Sequence, residues 1–253
     1  FNSDAVKTAD LHKGGMPAQY GGRLASVLDI SMKEGNDKTL KVDGGVGLIA
    51  SRLTVQGPIK KEKASFIVSG RRTYIDVLMQ PFIKKDSPTK GSGYFFYDLN
   101  TKINYRLSDK DRLFLSGYFG RDVFRFKSTE SGLDIRVPWG NATLSARWNH
   151  LFSNRLFLNS TFIFSDYQFE SDIRQTAFAI KVASGIRDYN AKLDFSWFPD
   201  ARNQVKFGAN YIYHRFAPNN ASGSFGDQEL NLGKPVYLYA HEAATYISDD
   251  EDI

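Results

Sequence analysis

Cysteine is absent from this sequence, which excludes a disulfide framework and any thiolate metal site. Also absent is any run of about 18 or more apolar residues, and that excludes a transmembrane helix. It does not exclude a membrane protein, because barrel strands hide their apolarity in alternation. No nucleophile stands at a readable spacing from a base, so no enzymatic activity is expected. The net charge is only +5 with no single dominant basic run, which argues against a nucleic-acid partner. His241-Glu242 begins like a zinc-protease helix, but Thr245 stands where the second ligand is needed. The other histidines, His12, His150 and His214, lie far apart and suit lumen, turn or surface places better than a metal site. Gly44-Gly45-Val46-Gly47 sits in a strand pattern with no helix after it, so the dinucleotide reading fails. The acidic stretch Asp249–Asp252 lacks calcium-loop spacing and reads as a solvated turn. No metal and no cofactor are expected.

What is present is alternation. Between Asp188 and Phe198, one face carries Asp188, Asn190, Lys192, Asp194 and Ser196. The other carries Tyr189, Ala191, Leu193, Phe195 and Trp197. Successive strand residues point to opposite faces, so this is a strand with one wet and one greasy side. It is also long: soluble strands average about 5–6 residues, and a tilted membrane-crossing strand needs about 9–11. Phe (20) and Tyr (13) dominate the aromatics, as suits strands and the interfacial girdles of barrels.

The same rhythm recurs. Strands are expected at about 26–32, 39–49, 52–58, 63–77, 93–107, 112–126, 141–152, 155–169, 185–198, 204–216 and 235–247. In the strand from 93, Phe95, Tyr97, Leu99, Thr101, Ile103, Tyr105 and Leu107 are expected to face lipid. Asp98, Asn100, Lys102, Asn104 and Arg106 are expected to face a polar lumen. Arg147, Lys192, Asp194 and Asn210 are lumen candidates by the same rule, whereas 112–126 alternates less cleanly. Short connections at 58–62, 108–111, 153–154 and 199–203 interleave with long ones at 78–92, 127–140, 170–184 and 217–234. Short turns at one end and long loops at the other are the habit of outer-membrane barrels. The fold class expected is therefore all-β: a transmembrane antiparallel β-barrel.

The opening segment runs Asp10-Leu11-His12-Lys13-Gly14-Gly15-Met16-Pro17-Ala18-Gln19-Tyr20-Gly21-Gly22-Arg23 and leads into a strand. It resembles the C-terminal end of the plug domain of TonB-dependent outer-membrane receptors, in which a Lys-Gly and a Pro-Ala-x-Tyr-Gly precede the first barrel strand. Arg52–Pro58, Ser69–Tyr74, Tyr97–Asn100, Ser116–Asp122 and Arg147–His150 look like the Bacteroidetes branch of that family. The nutrient transporters of the SusC type end their plug differently, which argues against a SusD-like lid. Glycines let such a segment turn and pack closely, and Pro17 fixes one φ and removes a donor.

The resemblance implies a division into the end of a plug (1–37) and the first part of a barrel (38–253). About ten strands fall short of the about 22 of large plugged transporters, so an internal fragment of a longer chain is expected. Gly14, Gly15, Pro17, Tyr20, Gly21, Gly22 and Arg23 are the plug motif it marks, with Arg23 expected to pair with a wall carboxylate such as Asp98 or Asp194. The implied place is the bacterial outer membrane. The implied partners are a TonB system acting through an upstream segment, outer-membrane lipid and lipopolysaccharide, an unknown small solute and, as a further candidate, a surface lipoprotein. The implied function is active solute uptake. The alternatives are a passive porin, a structural or adhesive barrel, or a soluble carbohydrate-binding β-protein.

Overall fold

The computed structural model describes residues 2–14, 16–21, 25–84, 87–200, 202–230 and 233–251. The fold is all-β and antiparallel. Strands β1 (Val6–His12) and β2 (Val27–Met32) pair with each other as a small separate sheet. The rest of the chain builds one meander: β3 (Lys41–Val46), β4 (Ala50–Lys60), β5 (Ala64–Thr73), a short helix α1 (Ile75–Leu78), β6 (Gly93–Arg106), β7 (Asp111–Ser128), β8 (Leu133–Ser153), β9 (Leu156–Gln175), β10 (Phe178–Trp197), β11 (Asn203–Phe225), β12 (Gln228–Leu230) and β13 (Leu238–Glu251). Each strand pairs with its predecessor, except that β12 and β13 both pair with β11, at different heights. Among the described residues, β3 and β13 are not paired with each other.

Several strands outrun the expected bounds. The segments 127–140, 170–184 and 217–234 were expected as loops, yet most of their length continues β7 to β11 up to tight tips. Both faces there are wet, so apolar alternation disappears and no longer marks a strand. The backbone still needs hydrogen-bond partners, and cross-strand ion pairs such as Glu170–Lys181 at 2.9 Å hold the register. Among the described residues, the connection 74–92 is largely irregular, with α1 inside it, and so is the stretch 233–237 that leads into β13. Residues 74–77 belong to that connection and not to the preceding strand. Strand β1 has no clear apolar rhythm in sequence and is made by its pairing with β2.

Burial is inverted relative to a water-soluble sheet. Thr54, Ser65, Ser69, Asp98, Asn100, Asn104 and Thr161 are buried, whereas Leu99, Ile103, Leu113, Leu115, Leu144, Phe162, Leu193 and Tyr211 are exposed. The inner face is the one on which the described residues of the N-terminal segment pack. Asn2 Nδ2 donates to Ser69 Oγ at 2.8 Å, and Arg52 reaches Asp4 at 2.9 Å. Ser65 Oγ donates to the carbonyl of Glu34 at 2.7 Å. Gly35 (φ +80) passes so close to β5 that a Cβ would meet the Phe66 carbonyl oxygen at 2.3 Å, a place only glycine fits.

The outer face carries the apolar belt. Register puts Phe164, Tyr189 and Tyr213 side by side on β9, β10 and β11. Their rings lie 5.3 and 6.3 Å apart, and Tyr239 on β13 stacks on Tyr213 at 6.1 Å. Nearer the short turns, Phe195 and Phe207 stack at 5.0 Å. The strand that alternates poorly in sequence, β7, obeys the same rule low down, with Leu113, Leu115 and Phe119 outward. Its inner row is itself aromatic (Phe114, Tyr118, Phe124), which masks the pattern.

Candidate functional site: the inner face and its N-terminal occupant

The inner row of β6 faces the N-terminal segment. Asp98 is 5% exposed and accepts from Arg71 Nε and Nη2 at 2.8 and 2.7 Å, with Asn100 Nδ2 on its other oxygen at 3.1 Å. A carboxylate so placed needs this pairing, because a buried lone charge is expensive. Lys102 Nζ donates to the Met32 carbonyl at 3.0 Å, and Asn104 Nδ2 to Glu34 Oε2 at 3.2 Å. Arg106 instead reaches the Glu62 carbonyl at 2.9 Å, at the short-turn rim. Arg147 Nε donates to Thr161 Oγ1 at 3.3 Å.

A second anchorage lies on β10, β11 and β13. Pro17, Ala18 and Gln19 lead into Tyr20 through one 3₁₀ turn, closed by Tyr20 N–H to the Pro17 carbonyl at 2.9 Å. Tyr20 donates to Asp29 at 2.7 Å, its ring lies 5.4 Å from that of His12, and Lys192 Nζ stands 5.6 Å above it. Lys192 pairs with Asp194 at 3.1 Å, and Tyr246 donates to the same carboxylate at 2.6 Å. Burial, with the hydrogen bond to Asp29 second, pushes the Tyr20 hydroxyl up to about 12. Asn210 stands opposite Lys192. Its Oδ1, like those of Asn100, Asn104 and Asn190, is buried without a protein partner.

Gly14 takes a left-handed φ of +77 and Gly21 N–H closes onto the Ala18 carbonyl at 3.1 Å. Gly15, Gly22 and Arg23 lie outside the described residues. The two carboxylates expected for Arg23 have partners on the wall, Asp98 with Arg71 and Asp194 with Lys192 and Tyr246.

The sequence reading missed Arg71, Ser69 and Thr54, which form the inner rows of β5 and β4. Thr54 and Ser69 hydroxyls lie 2.7 Å apart. Their signal was alternation in phase with Asp98 across the pair, which needs the register to be seen. It also missed an aromatic wall above Asp98. Tyr94 and Phe96 continue the inner row of β6, Tyr94 stacks on Trp139 at 6.1 Å and donates to Asp122, and Arg71 lies 4.8 Å over Phe96. The polar floor thus gives way to aromatic faces toward the long-hairpin end.

The histidines on the strands are spent on local side-chain partners, and His214 has a second one in Glu242 at 3.7 Å. His150 meets Asp111 at 2.7 Å, His214 meets Asp188 at 2.8 Å and His241 meets the Tyr211 hydroxyl at 2.6 Å. Among the described residues no cluster of three metal-ligating side chains occurs. No helix is long and apolar enough to cross a membrane, which says nothing about crossing by strands.

The fold and site together define an antiparallel sheet with an apolar outer belt and a polar inner face occupied by the chain's own N-terminal segment. No protein-family model and no curated protein matches the sequence. Two similar solved structures are the ferric yersiniabactin uptake receptor FyuA from Yersinia pestis and the copper transporter OprC. The first is 14% identical with a TM-score of 0.44, the match covering 83% of this chain and 37% of that one. The second is 9% identical with a TM-score of 0.45, covering 96% of this chain and 47% of that one. The chain therefore spans less than half the length of either.

Proposed function

We propose that this chain is part of a TonB-dependent outer-membrane active transporter of the Bacteroidetes type. Residues 1–37 are the end of its plug domain and 38–253 the N-terminal portion of its barrel. The observation that carries the reading is the inverted burial. Leu99 is exposed at 43% while the residues on either side of it, Asp98 and Asn100, are at 5% and 1%, and Leu193 on β10 is as exposed as Leu99. A large sheet with an exposed apolar belt and two wet ends suits lipid around its middle. The plug-like motif supplies the family, and the N-terminal segment seated across the inner face is the part that a TonB-linked pull would move. Lys102, Lys192, Asp194 and Asn210 are wall residues that release it, and the aromatic wall at Tyr94, Phe96 and Trp139 is where the scarce solute first meets the protein. Energy comes from the proton motive force through TonB and not from chemistry in this chain. The occupied inner face disfavours a passive porin.

The test is topology. Single cysteines at Gly223, near the tip of β11, and at Asp200, in a short turn, are probed in the full-length protein with an impermeant thiol reagent on intact cells. These 253 residues contain no cysteine, and any cysteine elsewhere in the full-length protein is first replaced by serine. Labelling at position 223 and not at 200 is expected; the reverse, or equal labelling, overturns the reading.

A further inference from the structure

We propose that the outer face carries a docking groove for a membrane lipid with a phosphate-monoester headgroup, formed between Arg121, Arg187 and Arg215. The inference rests on the membrane reading above and adds a specific site to it. Arg187 and Arg215 are direct cross-strand partners on β10 and β11. Arg121 lies one row higher on β7, in line with Gly140, Gln168, Gly185 and Ala217. Adjacent strands are about 4.8 Å apart, so these small residues leave a shallow trench about 19 Å long with arginine at both ends. Its volume is about 260 Å³; Asp166, Glu170 and Tyr237 are also in the lining, Glu170 being paired with Lys181 at 2.9 Å.

The charges there are not used up. Among the described residues, Arg121 and Arg215 have no carboxylate partner, and Arg215 lies 4.9 Å over the Tyr237 ring. Arg187 gives one arm to Asp166 at 2.6 Å, but its Nε–H is buried with no acceptor. A buried donor left without a partner is costly, and a phosphate oxygen is the acceptor that guanidinium geometry favours.

Height along the strand decides the source of the phosphate. Arg187 lies two residues beyond Tyr189, whose ring opens the aromatic row, so its guanidinium stands at headgroup level if that row marks the interface. About 13 Å further down the same strand, a hollow lined by Phe162, Ala191, Leu193, Tyr211 and Ala243 interrupts the belt. A lipid with its phosphate between the arginines can lay an acyl chain there. A free anion would use the first feature and not the second.

The test uses the full-length protein in phosphatidylcholine nanodiscs doped with phosphatidic acid, with bound lipid counted by native mass spectrometry. The parent should retain phosphatidic acid over phosphatidylcholine. Arg121→Gln with Arg215→Gln should lower that preference by about tenfold, while Lys60→Gln with Lys61→Gln at the opposite end leaves it unchanged. Ala142→Trp, which fills the trench without changing charge, should reduce retention too and keeps the test valid if the double variant folds poorly. Unchanged preference in both groove variants, or equal loss in the lysine control, overturns the site. Displacement of the lipid by millimolar inorganic phosphate would show an anion site without lipid specificity and would also overturn it. Failure of the membrane reading would appear separately, in the thiol-labelling pattern.

Discussion

Leu193→Arg should be the most damaging single substitution on the outer face of β10, and the reason is positional. The belt on this strand runs from Tyr189 to Trp197, both exposed with Leu193 between them. Eight steps at about 3.3 Å make about 26 Å along the strand, or about 20 Å of membrane depth at the usual tilt. Leu193 is four residues from each end and so stands at mid-depth. Arginine on a lipid-facing strand costs about 2–4 kcal/mol at the midplane and about 0–1 near the interfaces. The expected order of destabilisation is therefore Leu193→Arg well above Tyr189→Arg, with Phe195→Arg between them. Phe195 lies two residues from Leu193 and Tyr189 four, so depth sets the order; both also forfeit ring contacts, Phe195 with Phe207 at 5.0 Å and Tyr189 with Phe164 at 5.3 Å, each worth about 0.5–1.5 kcal/mol. One residue away, Lys192→Leu turns the test around. Lys192 faces inward beside Asp194 and Tyr20, so an apolar side chain there removes the cation from Asp194, leaving it only the Tyr246 hydroxyl, and gains no lipid contact. Urea unfolding of the full-length protein in lipid vesicles, read by tryptophan fluorescence, gives the free energies. A flat profile across Tyr189, Leu193 and Phe195, or stabilisation by Lys192→Leu, would refute the assignment of faces.

Arg71→Ala should cost about 3–5 kcal/mol because it leaves the Asp98 carboxylate buried and unpaired, and Arg71→Ala with Asp98→Asn should recover part of that loss in the same unfolding assay. Gly35→Ala, at φ +80 against the Phe66 carbonyl, should loosen the seat of the N-terminal segment, seen as faster amide exchange at Lys33 and Glu34 with the far end of β10 unaffected. Tyr20 has a raised hydroxyl pKa, so its contribution to docking is complete below the ordinary tyrosine value near 10 and fades as the pH climbs through about 12. An ultraviolet titration of Tyr20→Phe should show one late-ionising tyrosine fewer than the parent. In the short turn after β10, Asp200 is held below the usual carboxylate range, mainly by Asn203 and then by the Arg202 backbone N–H. The hold on that turn is present above pH 3.8 and is lost as the pH falls through the depressed value, so Asp200→Ala should remove the acid-dependent rise in Asn203 amide exchange.

Much of this protein is legible in its residues. The strict alternation from Asp188 to Trp197 assigns each side chain a face, because strand geometry has a period of two whatever the partner strand is. The same rule placed Asp98, Asn100, Lys102 and Asn104 together before any contact was known, and the four tight turns followed from their polar, loop-forming residues. Three matters needed the tertiary structure. Strand length did, because beyond the belt both faces are wet and only cross-strand pairs such as Arg125–Asp134 and Lys181–Glu170 keep the hairpins extended. Pairing did, because no local signal says that Arg71 meets Asp98 or that Arg187 stands opposite Arg215; register is settled by the whole sheet at once. The seat of the N-terminal segment did as well. Tyr20 reaches Lys192, and Met32 reaches Lys102, only after the chain has built a polar face wide enough to receive them, and contacts so far apart in sequence leave no periodic trace.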